Sequence, residues 1–387
     1  MAWMRTALEI VFWLAVALIV WTQVGYALAL MLLGRLLAPA RAPRPAQAQS
    51  PPSVSVIVAA HDEAPVIGER VANLRSLAYP ADRLEVIVCC DGCADATASI
   101  ARGAGADAVL ELPRGGKIRA QDAGVQRATG EIVAFSDANA IWEPDALRRL
   151  VEAFADPEVG YACGQVRFVQ AAAGAGATNQ EGLYWRYEMT VRSLESRLAS
   201  ITAGNGAIYA TRTSAYLVVD PVMGHDLSFP FNMVKRGWRA VYVPAARATE
   251  KMVPSIEGEF ARKRRMMSHA WPIVVRGGML SPRGYGARYG LMIVSHRILR
   301  YATPALHAIA LLANVALVAL GSGPLYIATL AAQVALLAAA ALGGRVRSRP
   351  LLVARYYVLT TASLAAGLWD WLRHGTSAGW DAAEGTR

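Results

Sequence analysis

Lysine is almost missing from this sequence: of its 39 basic residues only Lys117, Lys235, Lys251 and Lys263 are lysines, and the rest are arginines. The formal charge of +10 suits anionic lipid headgroups or phosphate-bearing substrates. The same sign suits nucleic acid, but no helix-turn-helix, zinc-finger or aromatic RNA-binding signature accompanies it, so no nucleic-acid partner is expected. Cysteine is scarce as well. Cys89, Cys90 and Cys93 crowd one predicted strand end, Cys163 stands alone, and no second ligand pair follows. That spacing argues against a disulfide framework or a zinc site. It leaves buried or loop-lining thiols in a reducing cytoplasm.

Charge is also lacking at the two ends of the chain, where the apolar residues concentrate. Between Ala7 and Leu37 only Glu9 and Arg35 are charged, a run longer than the roughly 20 residues that span a bilayer. Ala38-Pro39-Ala40 looks like a cleavage site, but the run is too long for a signal-peptide core, so residues 1–38 read as an uncleaved anchor. Arg35, Arg41 and Arg44 flank the Pro/Ala-rich linker 39–52 and place that side in the cytoplasm. Three further spans are expected within 301–372, at Tyr301 to Leu320, Leu325 to Leu342 and Leu351 to Trp371. The basic loop Arg345 to Arg349 then falls on the cytoplasmic side, in agreement with the first anchor. Residues 255–300 mix Arg with Met, Trp, Leu and Tyr, as helices in contact with membrane lipids do, and 373–387 form a polar tail. The expectation is a multi-pass protein of the inner (plasma) membrane. Its spans hold few internal polar residues, which argues against a transporter.

Residues 53–254 read as an α/β domain. Val54 to Ala60 is a continuous apolar run, expected of a strand buried on both faces. An amphipathic helix carrying Ile67, Val71, Leu74 and Leu77 follows, then strands at Leu84 to Cys90, Ala108 to Leu112 and Ile132 to Phe135. Helical segments at Asp95 to Arg102 and Lys117 to Ala128 separate them. This alternation predicts a doubly wound parallel sheet with its ligand at the carboxyl ends of the strands. Asp91 and Asp137 sit at two such ends.

These residues carry a resemblance. Val54 to Ala60, followed by His61-Asp62-Glu63, resembles the opening strand of family 2 glycosyltransferases, where an aromatic-Asn-Glu triplet follows the strand. His61 and Asp62 replace the first two members and Glu63 is retained. Asp91-Gly92-Cys93-Ala94-Asp95-Ala96-Thr97 is similar to the family's Asp-Gly-Ser-x-Asp-x-Thr motif. The resemblance implies that His61, Glu63 and Asp91 bind the base or ribose of a nucleotide-sugar donor. Asp95 can instead be the N-cap of the next helix. Gly115-Gly116-Lys117 occupies the position where the family contacts the donor pyrophosphate; glycines allow close approach, and a helix start favours anions. By itself it also reads as a plain turn. Ser136-Asp137-Ala138-Asn139 stands where the family has Asp-x-Asp, which implies Mg²⁺ or Mn²⁺ held by Asp137 and, without added charge, by Asn139. An Asx-turn after a strand fits the same residues.

Gly204-Asn205-Gly206-Ala207 resembles the loop beside the donor sugar, with Asn205 a donor contact. Gly224-His225-Asp226 takes the place of a Glu-Asp or Asp-Asp pair whose second acid is the general base, so the resemblance implies that role for Asp226. Arg265 aligns with the Arg of the Gln-x-x-Arg-Trp motif of processive synthases and would neutralise the leaving diphosphate. Its neighbours Arg262 to Arg264 read equally as a stretch gripping lipid headgroups.

Taken together, the resemblance implies a GT-A (Rossmann-like) domain between transmembrane helices, related to the cellulose, hyaluronan and poly-N-acetylglucosamine synthases. It implies inverting transfer from a nucleotide-sugar, by expectation a UDP-sugar, to a glycan or lipid-linked acceptor at the cytoplasmic membrane face, alongside envelope-biosynthesis partners. A nucleotidyltransferase would carry a Gly-rich, Lys-containing loop directly after the first strand, where Glu63 stands. Asn139 and His225 keep one rival open, a catalytically inactive nucleotide-sugar-binding scaffold of a cell-envelope assembly. Met266 replaces the motif Trp and offers no flat indole face on which an acceptor sugar could stack. Short products are therefore expected. Sizing the glycan made with excess donor and limiting acceptor checks this, and long chains beside untouched acceptor would contradict it.

Overall fold

The computed structural model describes residues 2–37, 50–169, 178–251, 256–346 and 348–379. Most of the linker with Arg41 and Arg44, Arg347 in the basic loop, and the tail from residue 380 lie outside the described residues.

A long apolar helix, α1 (Ala2–Leu36), precedes the sheet domain. The domain then alternates as β1 (Val54–Ala60), α2 (Ala64–Arg75), β2 (Leu84–Asp91), α3 (Thr97–Gly103), β3 (Ala108–Leu112), α4 (Lys117–Arg127) and β4 (Ile132–Asp137). It continues as β5 (Ile141–Trp142), α5 (Ala146–Glu152), β6 (Val159–Val169), α6 (Thr178–Leu198), β7 (Tyr209–Arg212), α7 (His225–Lys235) and β8 (Arg239–Lys251). Helices α8 (Ile256–Val275), α9 (Ala287–Ala319), α10 (Pro324–Leu342) and α11 (Arg349–His374) complete the chain. Four of these, α1, α9, α10 and α11, are long and apolar enough to cross a membrane.

All seven residues of β1 are buried, because both faces of the strand are covered. Val54, Val56 and Val58 face Ile67, Val71 and Leu74 of α2, while Ile57 and Ala59 join Ala120 of α4 and Phe135 of β4 in a core on the other side. Parallel pairing of β1 with β2 and β4 brings Ala60 beside Cys90 and Ala59 beside Asp137. Polar residues at these strand ends therefore collect at one edge of the sheet.

The sheet has eight strands in the order β3-β2-β1-β4-β7-β6-β8-β5. The expected parallel arrangement holds for β3 to β4, but β7 runs antiparallel to β4 and β6, and β5 runs antiparallel to β8. A long connection such as the α6 segment between β6 and β7 permits either strand direction, and the apolar pattern that marks a strand does not report which direction it takes. A second difference concerns α9. A separate interfacial segment and a span beginning at Tyr301 were expected, yet one 33-residue helix runs through both, interrupted only by a π turn at Val294–Ile298.

That π turn is where the helices grip the domain. Glu195 of α6, fully buried, accepts from the Tyr26 hydroxyl at 2.7 Å and from the Thr202 amide at 3.1 Å. It also lies 2.7 Å from His296 Nδ1. Arg297 Nε donates to Thr202 Oγ1 at 2.9 Å, and Arg300 pairs with Glu188. Removing one member of such a buried network leaves charges without compensation, at a cost of about 3–5 kcal/mol. Glu195→Ala is expected to lower stability by that order in thermal unfolding of the detergent-solubilised chain. A loss no larger than the ~0–1 kcal/mol of an exposed pair would contradict it.

Candidate active site

A cavity of about 500 Å³ opens at the carboxyl edge of the sheet. Its walls come from the start of α4 (Lys117, Gln121), the end of β4 (Asp137), the Gly204–Ala207 loop and the first turn of α7 (His225, Asp226). Helix α8 adds Arg262, Arg265 and Met266, and the apolar helices add Arg297, Tyr301 and Tyr356. Of the residues expected from the sequence, Lys117, Asp137, Asn205, Asp226 and Arg265 come together here. Asn139 is not among the lining residues.

Lys117 and Asp137, both lining the cavity, form an ion pair. Burial opposes the ammonium charge, but Asp137 outweighs it and holds Lys117 above its ordinary pKa. Asp226 moves the other way for a carboxyl: burial raises it, Lys117 pulls it down, and burial wins. A carboxylate of raised basicity is suited to accepting a proton.

Its neighbour explains the His225 departure. The imidazole is buried, stacks on Phe229 at 4.0 Å between centroids, and meets Phe135 and Tyr216 edge-on. Its Nδ1 lies 2.8 Å from the Tyr209 hydroxyl. Burial, helped by Lys117, lowers its pKa to about 3. A neutral imidazole fits this aromatic box, with the Tyr209 hydroxyl beside its Nδ1.

Asn205 serves the loop more than the cavity. Its Nδ2 donates to the Gly164 carbonyl at 2.6 Å and its Oδ1 accepts from the Ile208 amide at 3.0 Å, so the side-chain amide shapes the turn. The turn brings Gly206 so near the ion pair that a Cβ there would stand 3.3 Å from Lys117 Nζ and 3.6 Å from Asp137 Oδ2.

His61, Glu63 and Asp91 do not line this cavity. The Asp91 carboxylate accepts from the Gly115 amide at 2.6 Å and the Gly116 amide at 3.0 Å, so the backbone donors expected to face a phosphate face Asp91. Asp91 borders a smaller cavity of about 190 Å³ with Arg114 and Arg119. His61 Nδ1 lies 2.8 Å from the Asp91 carbonyl. Glu63 is buried, and its amide donates to Thr97 Oγ1 at 2.8 Å. Asp95 accepts from the Thr97 amide at 2.9 Å and the Ala64 amide at 3.0 Å, which starts α3 and ties it to the β1 loop. His61, Asp62 and Cys93 offer ligand atoms within 4.8 Å of one another, but imidazole and thiolate suit zinc or copper better than magnesium. Over the Gly115-Gly116 turn lies the stretch that follows α11: Ala378 lines the large cavity, and its carbonyl fills the space a Cβ of Gly116 would need.

Two further lining residues bear on the site. Trp185 stands in the cavity wall against Phe168, its Nε1 donating to the Val166 carbonyl at 2.8 Å. Glu250, at the end of β8, lines the same cavity. An acid at a strand's carboxyl end was the signal that singled out Asp91 and Asp137. It would have found Glu250 had β8 been recognised.

The family model described as glycosyltransferase like family 2 matches residues 51–268. An N-acetylglucosaminyltransferase of Mesorhizobium japonicum is 30% identical over 236 residues, covering 55% of this chain and 54% of that protein. A beta-monoglucosyldiacylglycerol synthase of Synechocystis is 38% identical over 123 residues, covering 28% of this chain and 24% of that protein. The match therefore spans about half the length of the first of these relatives, and less of the second. Among solved structures, the mannosyltransferase PcManGT from Pyrobaculum calidifontis, in complex with GDP-Man and Mn²⁺, has the same fold at a TM-score of 0.74 and 24% identity. The alignment covers 95% of this chain and 99% of that one.

The lowered pKa of His225 fixes a dependence of stability on pH. The unfolded imidazole takes up a proton near pH 6.5 and the folded one only near 3, so the contribution is whole above 6.5 and is lost as the pH falls. Wild type should lose stability relative to His225→Gln below about pH 6.5, at a slope approaching ~1.4 kcal/mol per pH unit. Parallel unfolding curves between pH 7 and 4.5 would contradict it.

Proposed function

Because the chain belongs to glycosyltransferase family 2, we propose that it transfers one sugar with inversion from a UDP-sugar to a glycan or lipid-linked acceptor at the cytoplasmic membrane face. One observation carries this reading. A single cavity holds a charge-bearing pair at the sheet edge, Lys117 and Asp137, and a half-buried carboxyl of raised basicity, Asp226.

Asp137 and donor phosphate oxygens form an all-oxygen ligand set that fits a hard cation, and Gly206 leaves the approach open. Magnesium or manganese held there by Asp137 would supply charge to offset that of the leaving nucleoside diphosphate. Lys117 and Arg265, the latter from α8, line the cavity and would offer their charges to the same phosphates. Asp226 takes the proton of the acceptor hydroxyl as its oxygen bonds to the anomeric carbon. The bond from that carbon to the diphosphate oxygen breaks, and the electron pair leaves with the nucleotide. Tyr301 and Tyr356, which belong to helices able to span a membrane, border the cavity, which suits an acceptor carried in the lipid. Arg41, Arg44 and the basic loop support a cytoplasmic orientation and the inner membrane as location.

The test is a donor panel led by UDP-N-acetylglucosamine, with nucleotide release measured over glycan and lipid-borne acceptors. Asp226→Asn should lower transfer by on the order of 10² to 10⁴ while nucleotide affinity holds. Because a base works deprotonated, kcat/KM should fall in acid with a limb above the ordinary carboxylate range. Near-normal turnover in the variant would remove Asp226 from the reaction. Nucleotide binding without turnover on any donor would favour the scaffold reading.

A further inference from the structure

Asn139 stands where the Asp-x-Asp pattern would supply a second acid, brings no charge, and does not line the cavity. Glu250 does. The antiparallel rung Ile141↔Thr249 fixes its place one residue past the strand that leaves the Asp137 turn. On its other side the parallel rung Phe168↔Glu250 holds β8 against β6. Asp137 and Glu250 thus face one cavity from two strands, with Lys117 and Arg262 on its walls.

Two carboxylates sharing a cavity repel one another, and a divalent cation between them turns that repulsion into attraction. The cavity is also built for a polar occupant. The side-chain amide of Gln121 and the Nε2 of His225, both buried, line it with no hydrogen-bond partner among the described residues. Buried polar atoms of this kind are ordinarily satisfied by ligand or water.

We propose that Glu250 is the second carboxylate of the cation site, in the role that Asn139 cannot fill. The presence of a cation rests on the family 2 reading; the identity of its protein ligand goes beyond it. Strand pairing places Glu250 there, although it lies more than a hundred residues from Asp137 in sequence.

The experiment titrates Mn²⁺ into the purified full chain and follows the free-ion signal by electron paramagnetic resonance, alone and with UDP or GDP. Glu250→Gln should weaken Mn²⁺ binding at least about tenfold, a loss that even an outer-shell partner typically causes. Glu250→Asp should retain most of the affinity, and Asn139→Ala should leave it unchanged. Unfolding temperatures establish that each variant is folded. Should Glu250→Gln bind Mn²⁺ as wild type does, or Asn139→Ala lose the affinity instead, the assignment of Glu250 is overturned. Wild type that binds nucleotide but no Mn²⁺ under any condition overturns the cation reading itself, a different outcome from the first.

Discussion

The ion pair between Lys117 and Asp137 is the interaction on which the site depends. Each partner reaches the cavity through a different part of the sheet. Asp137 is delivered by β4, whose register on β1 is set by a wholly buried apolar strand. Lys117 is delivered by the first turn of α4, which the Asp91 carboxylate pins through the Gly115 and Gly116 amides. Lys117 then opposes the rise in basicity of both Asp226 and Glu250. The Lys117 ammonium thus acts on three carboxyls, Asp137, Asp226 and Glu250.

A second constraint joins this edge to the apolar helices. Thr202 sits two residues before Gly204 and is held by Glu195 and Arg297, so the loop bordering the ion pair is anchored to α6 and α9 at once. The network couples the placement of the spans to the shape of the cavity, since Arg297 belongs to both. On the far wall, Lys263 of α8 donates to the Tyr356 hydroxyl of α11 at 2.7 Å, and Arg264 grips Asp370. Helix α8 is thereby fixed with Arg265 and Met266 toward the cavity.

Legibility in the sequence followed local physics. The strands β1 to β4 announce themselves as short apolar runs between helical patterns, and the acids at their ends mark the ligand edge. The second half of the sheet was not visible in this way. β7 has only four residues and β8 carries Arg239, Arg247, Glu250 and Lys251 among its apolar positions, so neither shows a clean period. Glu250 was lost with them. Long-range pairing also decides what a polar side chain does. From sequence Asn205 and Asp91 read as donor contacts, yet both spend their side chains on backbone amides or carbonyls. The long α9 escaped for a related reason: its first turns are polar enough to look interfacial, and no proline separates them from the apolar part until Pro304, inside the span itself.

The proposed transfer is a direct displacement at the anomeric carbon, with Asp226 taking the acceptor proton. Proton nuclear magnetic resonance of the purified product reads the anomeric configuration of the new linkage. Inversion relative to the donor sugar is the predicted result. Retention of the donor configuration would require a second displacement and would contradict the assignment of Asp226 as the base.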